Sequence, residues 1–126
     1  MTNSSTENLM FTKTHEWLKD LGGGRYAVGI TDYAQNELGN LVYAGLPAVG
    51  DTVIAGSAFA DVESVKAVSD VLSPVDGTVV EINEQLLDAP EMINDTPYEA
   101  WFAVIESNGD GELMTAEEYE EYLKTL

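Results

Sequence analysis

The sequence predicts a mainly β domain, a flattened β-barrel or sandwich with a short internal helix and a C-terminal α-helix. Three observations lead there. Between residues 25 and 105, glycine and proline cut the chain into pieces of strand length rather than helix length. A weak internal echo, Pro47-Ala48-Val49-Gly50-Asp51-Thr52-Val53 against Pro74-Val75-Asp76-Gly77-Thr78-Val79, suggests two hairpin-like halves around residue 66. Residues 115–126 then switch to helical spacing.

Taken in order, residues 1–10 read as a flexible polar tail. MTNSSTENL has neither the basic and apolar regions of a signal peptide nor the arginines of a transit peptide. No apolar stretch approaches membrane-spanning length, so the expectation is a cytoplasmic protein with one domain over 11–126. A three-glycine turn, Gly22 to Gly24, leads into a strand at Arg25–Ile30. Thr31 as N-cap and Gly39 as C-terminal stop bound a helix of about two turns. Further strands are expected at 41–44, 51–54, 59–64, Val68–Leu72 and 78–82, and Asp76-Gly77 is a strong hairpin-turn signal before the last of these. Residues 83–98, with Pro90 and Pro97, read as loop with room for one short helical turn, followed by a strand at 101–105. Thr115-Ala116-Glu117-Glu118 fits a capping box. Tyr119, Tyr122, Leu123 and Leu126 give the terminal helix an apolar stripe, and the glutamates at 117, 118, 120 and 121 suit the N-terminal end of its dipole.

Composition removes many chemistries. The 126 residues include 23 acidic and 5 basic side chains, a formal net charge of −18, with 44% hydrophobic residues to build a core beneath that charge. So acidic a surface repels nucleic acid and anionic membranes. With no cysteine there is no disulfide framework, no Cys-ligated zinc or iron–sulfur site and no Cys nucleophile, and a single histidine, His15, excludes a multi-His metal centre.

One lysine stands apart. Lys66 lies in ADVESVKAVSDVL, with β-prone residues on both sides and only residues 64–67 to make the turn, which places it near a hairpin tip. It is the only basic residue between Arg25 and Lys124, and Asp61, Glu63 and Asp70 lie within five residues of it. The pattern alone leaves three readings open. One is a solubilising charge. A second is a Schiff-base lysine, which needs desolvation or a neighbouring cation where this chain offers carboxylates. The third is an attachment point for a covalent group, needing reach and exposure only.

Five segments, TKTHEWL, GITDYAQNELG, LPAVGD, VESVKAVSD and SPVDGTVVEIN, occur here in the order in which they occur in the H protein of the glycine cleavage system. From about Phe11 to the C-terminal helix the chain resembles that family, whose fold is of the lipoyl/biotinyl-carrier type. Biotin carriers usually place Met on both sides of their lysine, and dehydrogenase lipoyl domains favour Asp before it. Val65 and Ala67, with Glu63 and Ser64 ahead of them, fit the H protein pattern instead.

The resemblance implies a non-catalytic carrier, monomeric, with lipoate joined to Lys66 as an amide by a lipoate ligase or octanoyltransferase. That removes one positive charge and takes −18 to −19. It further implies three partner enzymes: a pyridoxal-phosphate glycine decarboxylase that loads an aminomethyl group, a tetrahydrofolate-dependent aminomethyltransferase that receives it, and an FAD-containing dihydrolipoamide dehydrogenase that reoxidises the dithiol. Thr14, Glu16 and Asp70 match positions at which the family docks the loaded arm, and Glu37 stands where some members carry His. Ala100, before Trp101, departs from the family's usual Gly. A relay passing lipoyl groups to other enzymes fits the same residues.

Two rival signals remain. His15-Glu16-Trp17 lacks the second His that a metalloprotease helix needs. Residues 106–117 mimic an EF-hand loop, with Asn108, Asp110, Gly111 and Glu117 at positions 3, 5, 6 and 12 and Leu113 at the apolar position 8. However, position 1 is Glu106, position 9 is Met114, and the preceding WFAVI is strand-like. An acidic calcium-binding or interaction module is therefore the alternative from a different class, and the expectation for this segment is a loop entering a capped helix with no metal.

Overall fold

The computed structural model describes residues 9–107 and 113–126. The chain runs β1 (Leu9–Phe11), β2 (Glu16–Gly22), β3 (Arg25–Ile30), α1 (Asp32–Leu38), β4 (Leu41–Gly45), β5 (Thr52–Val53), β6 (Ala58–Ser64), β7 (Val68–Leu72), β8 (Gly77–Ile82), α2 (Gln85–Asp88), α3 (Met92–Asp95), β9 (Ala103–Glu106) and α4 (Ala116–Leu123). All strand pairs are antiparallel and form two sheets, β1-β2-β3-β9-β8-β5 and β4-β6-β7. The fold is the expected β sandwich with an internal and a terminal helix, and the sheets do not close into one barrel.

Strands β3 and β9 read as apolar runs because both of their faces are covered. Val28, Ala103 and Ile105 face a cluster with Leu18, Val53, Val75 and Val79. Ala27 and Val104 face the opposite way, onto Leu9, Phe11, Trp17 and Tyr119. A third cluster packs Val62 and Val71 of the three-stranded sheet against Leu86 of α2, Ile93 of α3 and Phe102. The helix caps follow the sequence. The Thr31 hydroxyl accepts from the Ala34 N–H at 3.3 Å, and the Gly39 N–H closes α1 on the Gln35 carbonyl at 3.0 Å. At α4 the Glu118 N–H donates to the Thr115 hydroxyl and the Thr115 N–H donates to the Glu118 carboxylate, at 3.2 and 2.9 Å. The Tyr119 ring then stacks on Phe11 with centroids 4.7 Å apart. Helix α4 stops at Leu123, short of the expected 126, and Leu126 is exposed.

Several expectations need correction. The tail boundary at residue 10 is too late: Leu9 and Met10 pair with Lys19 and Leu18, and Leu9 is buried. Strands β1 and β2 escape a reading by punctuation because the turn between them contains neither glycine nor proline. His15 supplies its left-handed residue, with φ +72°. Asp76-Gly77 does not make a hairpin. Gly77 lacks the positive φ of a two-residue primed turn and pairs with Val53, while the Asp76 carboxylate accepts from the Ala55 N–H at 2.8 Å. The chain there crosses from one sheet to the other. The echo therefore has a different meaning: residues 50–53 bond to 77–79, so the two repeats pair with each other around the β6–β7 hairpin. Residues 83–98 hold two one-turn helices, α2 and α3, rather than one, each anchored by a fully buried residue, Leu86 and Ile93. Strand β9 begins at Ala103, two residues later than expected. Ala100 is completely buried in the core beside Phe102, so its methyl group is accommodated.

Gly29 sits opposite Trp17, and a Cβ placed on it would lie 2.5 Å from the indole carbons. The ring cannot retreat, since it is buried and its Nε1 donates to the Pro97 carbonyl at 2.9 Å. Gly29→Ala is expected to cost about 1–3 kcal/mol through overpacking. A urea unfolding midpoint equal to wild type would contradict this packing.

Candidate functional site

Strands β6 and β7 place Lys66 at the tip of a hairpin whose turn is residues 65–67. Ser64 closes it: its N–H donates to the Ala67 carbonyl at 2.8 Å, and its hydroxyl accepts from the N–H groups of Lys66 and Ala67 at 3.2 and 3.0 Å. Val65 and Val68, at 77% and 70% exposure, flank the lysine in solvent. Lys66 is itself exposed, so the desolvation on which a Schiff-base lysine relies is missing. Among the described residues the ion pairs are Arg25–Glu106 at 3.6 Å and Lys124–Glu121 at 3.3 Å, and neither involves Lys66. Its ammonium is an uncommitted primary amine at the end of a flexible stem.

The β1–β2 turn builds a second feature. Glu16 is 3% exposed, yet it lines a cleft of about 310 Å³ with Thr12, Thr14, Gly56, Leu72 and Ser73. Its carboxylate accepts from the Thr12 and Thr14 hydroxyls at 2.6 and 2.5 Å, and the Leu72 backbone N–H lies near enough to favour its charged form. Burial pushes the Glu16 carboxyl above its ordinary 4.5, and the two hydroxyls and the nearby Leu72 N–H oppose that without cancelling it. The cleft is also lined by Lys13, so it brings one carboxylate and one ammonium-bearing side chain together. Of the three positions matched for docking, Thr14 and Glu16 share this cleft. Asp70 does not: it stands opposite Asp61 on the outer face of the three-stranded sheet, in a groove with Tyr43, Gly45 and Leu87.

His15 braces this turn from behind. Its Nδ1 lies 2.8 Å from the Tyr119 hydroxyl, which lies 2.8 Å from the Thr31 hydroxyl, and its ring packs on Tyr33 at 4.5 Å. Burial lowers the His15 pKa, and the nearby Glu37 pulls it back up. His15 therefore has a structural hydrogen bond through Nδ1. Sequence reasoning missed Thr12 and the Leu72 N–H, because only the folded turn and the packing of β7 beside it bring them to Glu16.

The EF-hand-like segment loses its first position. Glu106 ends strand β9 and pairs with Arg25, while Asn108, Asp110 and Gly111 lie outside the described residues. Among the described residues no group of three or more His, Asp or Glu side chains is placed to hold a metal ion.

The family model described as Glycine cleavage H-protein matches residues 9–126. The chain belongs to the glycine cleavage H-protein family. A glycine cleavage system H protein from Lachnoclostridium phytofermentans is 60% identical over 119 residues, covering 94% of each chain. Another from Coprothermobacter proteolyticus is 51% identical over 121 residues, covering 93% of this chain and 95% of that one. The crystal structure of a glycine cleavage system H protein from Mycobacterium marinum superposes with a TM-score of 0.87 at 39% identity, covering 95% of this chain and 98% of that one.

Because the Glu16 pKa is raised, the protonated form is favoured by folding. Its stabilising contribution is complete below 4.5 and is lost as pH rises through the higher folded value. Glu16→Gln should therefore gain on wild type in urea unfolding as pH increases from about 4 to 8. A stability difference that stays constant over that range would refute the assignment.

Proposed function

We propose that this chain is a non-catalytic lipoyl carrier of the glycine cleavage system, with lipoate attached to Lys66 as an amide. The observation that carries the reading is the exposed, uncommitted Lys66 amine on a hairpin turn closed by Ser64, within a chain of this family. The residues fit the group. Amide formation joins Nζ to the lipoyl carboxyl carbon with loss of water overall, and it requires an accessible amine with no ion pair to break. Once attached, the dithiolane supplies the two redox sulfurs that this Cys-free chain lacks and carries the aminomethyl group.

The chain's own residues do the rest. The Lys66 stem gives the arm its reach. Thr14 and Glu16 offer a sheltered carboxylate to a cationic amine brought into their cleft, whereas Asp70, in a separate groove, takes no part there. Glu63 and Ser64 at the end of β6, with Val65 and Ala67 of the turn, are the surface that a lipoate ligase or octanoyltransferase grasps. Tethering converts successive encounters with the decarboxylase, the aminomethyltransferase and the dihydrolipoamide dehydrogenase into local searches at raised effective concentration. The acidic surface, with net charge −18, favours basic patches on those partners.

Lys66→Arg keeps the charge and removes the acylable amine. It is expected to abolish the lipoyl mass increment after treatment with lipoate ligase, and with it glycine–bicarbonate exchange in the presence of the decarboxylase. Acylation that survives the substitution would refute the site. Loss of acylation without any exchange by the lipoylated wild type would instead favour the relay role. Raising ionic strength from about 0.05 to 0.5 M shortens the screening length severalfold and should weaken the decarboxylase's apparent affinity for the carrier. Salt-independent kinetics would remove the electrostatic part of the proposal.

A further inference from the structure

Asn94 lies outside every feature described so far, on the one-turn helix α3, where the preceding Ile93 is fully buried in the core. Its side-chain amide makes three bonds. Oδ1 accepts from the Leu41 N–H at 2.8 Å, while Nδ2 donates to the Gln35 Oε1 at 2.8 Å and to the Gly39 carbonyl at 3.0 Å. The backbone N–H of Leu41 fixes which end of the amide is oxygen. One side chain thus ties the end of α1, the linker Gly39-Asn40 and the start of β4 to α3.

That linker is the neighbour of the lysine turn. The Val65 N–H donates to the Asn40 carbonyl at 3.4 Å, and Leu41 pairs with Ser64, the residue that closes the turn. Gly39, at φ +82°, leaves open the space beside the Lys66 stem: a Cβ there would lie 3.3 Å from Cε. On its other sides the tip is open, with Val65 and Val68 exposed.

We infer that Asn94 is a positioning residue for Lys66: through Gly39 and Asn40 it fixes the base of the lysine turn and the direction in which the stem leaves it. The inference rests on the lipoyl-carrier reading for its functional meaning, and its structural readout is independent of that reading. Helix α3 gains a task beyond filling the core, because Ile93 buries on one side and Asn94 braces the linker on the other.

The test uses the full chain. Asn94→Asp keeps an oxygen for the Leu41 N–H but turns the donor facing the Gly39 carbonyl into an acceptor. Hydrogen exchange followed by NMR should show the Val65 amide exchanging about fivefold faster, with the mid-hairpin amides of Val62 and Val71 as protected as in wild type. The kcat/KM for acylation of Lys66 by a purified lipoate–protein ligase with lipoate and ATP should fall in parallel. Unchanged Val65 exchange, or uniform loosening of the whole hairpin, overturns the positioning role. If Asn94→Asp does not fold, Asn94→Ser keeps a short neutral side chain that cannot reach Gln35, Gly39 and Leu41 together. It should slow acylation with hairpin protection intact, and unaltered acylation overturns the inference. Wild-type chain that is never acylated, or acylation that survives Lys66→Arg, defeats the carrier reading and leaves the exchange result standing.

Discussion

Burial of both faces of β3 and β9 is the constraint on which the other elements depend. One face is satisfied by the apolar interior that the six-stranded sheet shares with residues such as Val53 and Val75. The other needs a cover, and β1, Trp17 and the Tyr119 face of α4 supply it. Placing α4 there brings the Tyr119 hydroxyl to His15 and Thr31, which fixes the β1–β2 turn in a conformation that a non-glycine residue seldom takes alone. The Glu16 cleft is built on that turn. The core requirement that seats α4 therefore also sets the position of the Glu16 carboxylate.

What the sequence made legible was what is local. Strands β3 and β7 occupy the residues their apolar runs indicate, and α4 starts at its capping box, because pattern and cap act over a few neighbouring residues. The exposure of Lys66 also follows from a short turn between two β-prone runs. The features that stayed hidden are those that distant segments make together. The β1–β2 hairpin turns on a histidine held by a tyrosine 104 residues further along the chain. Asp76-Gly77 has hairpin chemistry but is claimed by a cross-sheet pairing with β5. Glu16 carries no sign in its neighbours that it will be buried under Thr12 and Leu72, and Asn94 none that it will brace a linker more than fifty residues before it.

The electrostatics divide the same way. Most of the negative charge is solvated, and exposed pairs such as Arg25–Glu106 contribute little to stability. Where charge is placed against its own preference, something holds it. Asp61 and Asp70 face each other across β6 and β7 on an exposed face, where water screens them. Glu16 is taken out of water and is held by two hydroxyls. Charge beside Lys66 is plentiful and solvated, whereas the cleft holds one braced carboxylate, Glu16, and one cation, Lys13.

The Ser64 closure of the lysine turn has a thermodynamic consequence. A three-residue tip with no hydrogen bonds of its own would sample many shapes, and each enzyme that grasped it would have to freeze it anew. Here the serine hydroxyl and backbone already hold the Lys66 and Ala67 amides before any enzyme arrives. The conformational entropy of the tip is lost once, during folding, so on the proposed carrier reading its partners would meet a preformed turn bearing a mobile side chain. A carrier that must be released as readily as it is bound gains from this arrangement, because recognition can remain brief and weak without becoming imprecise.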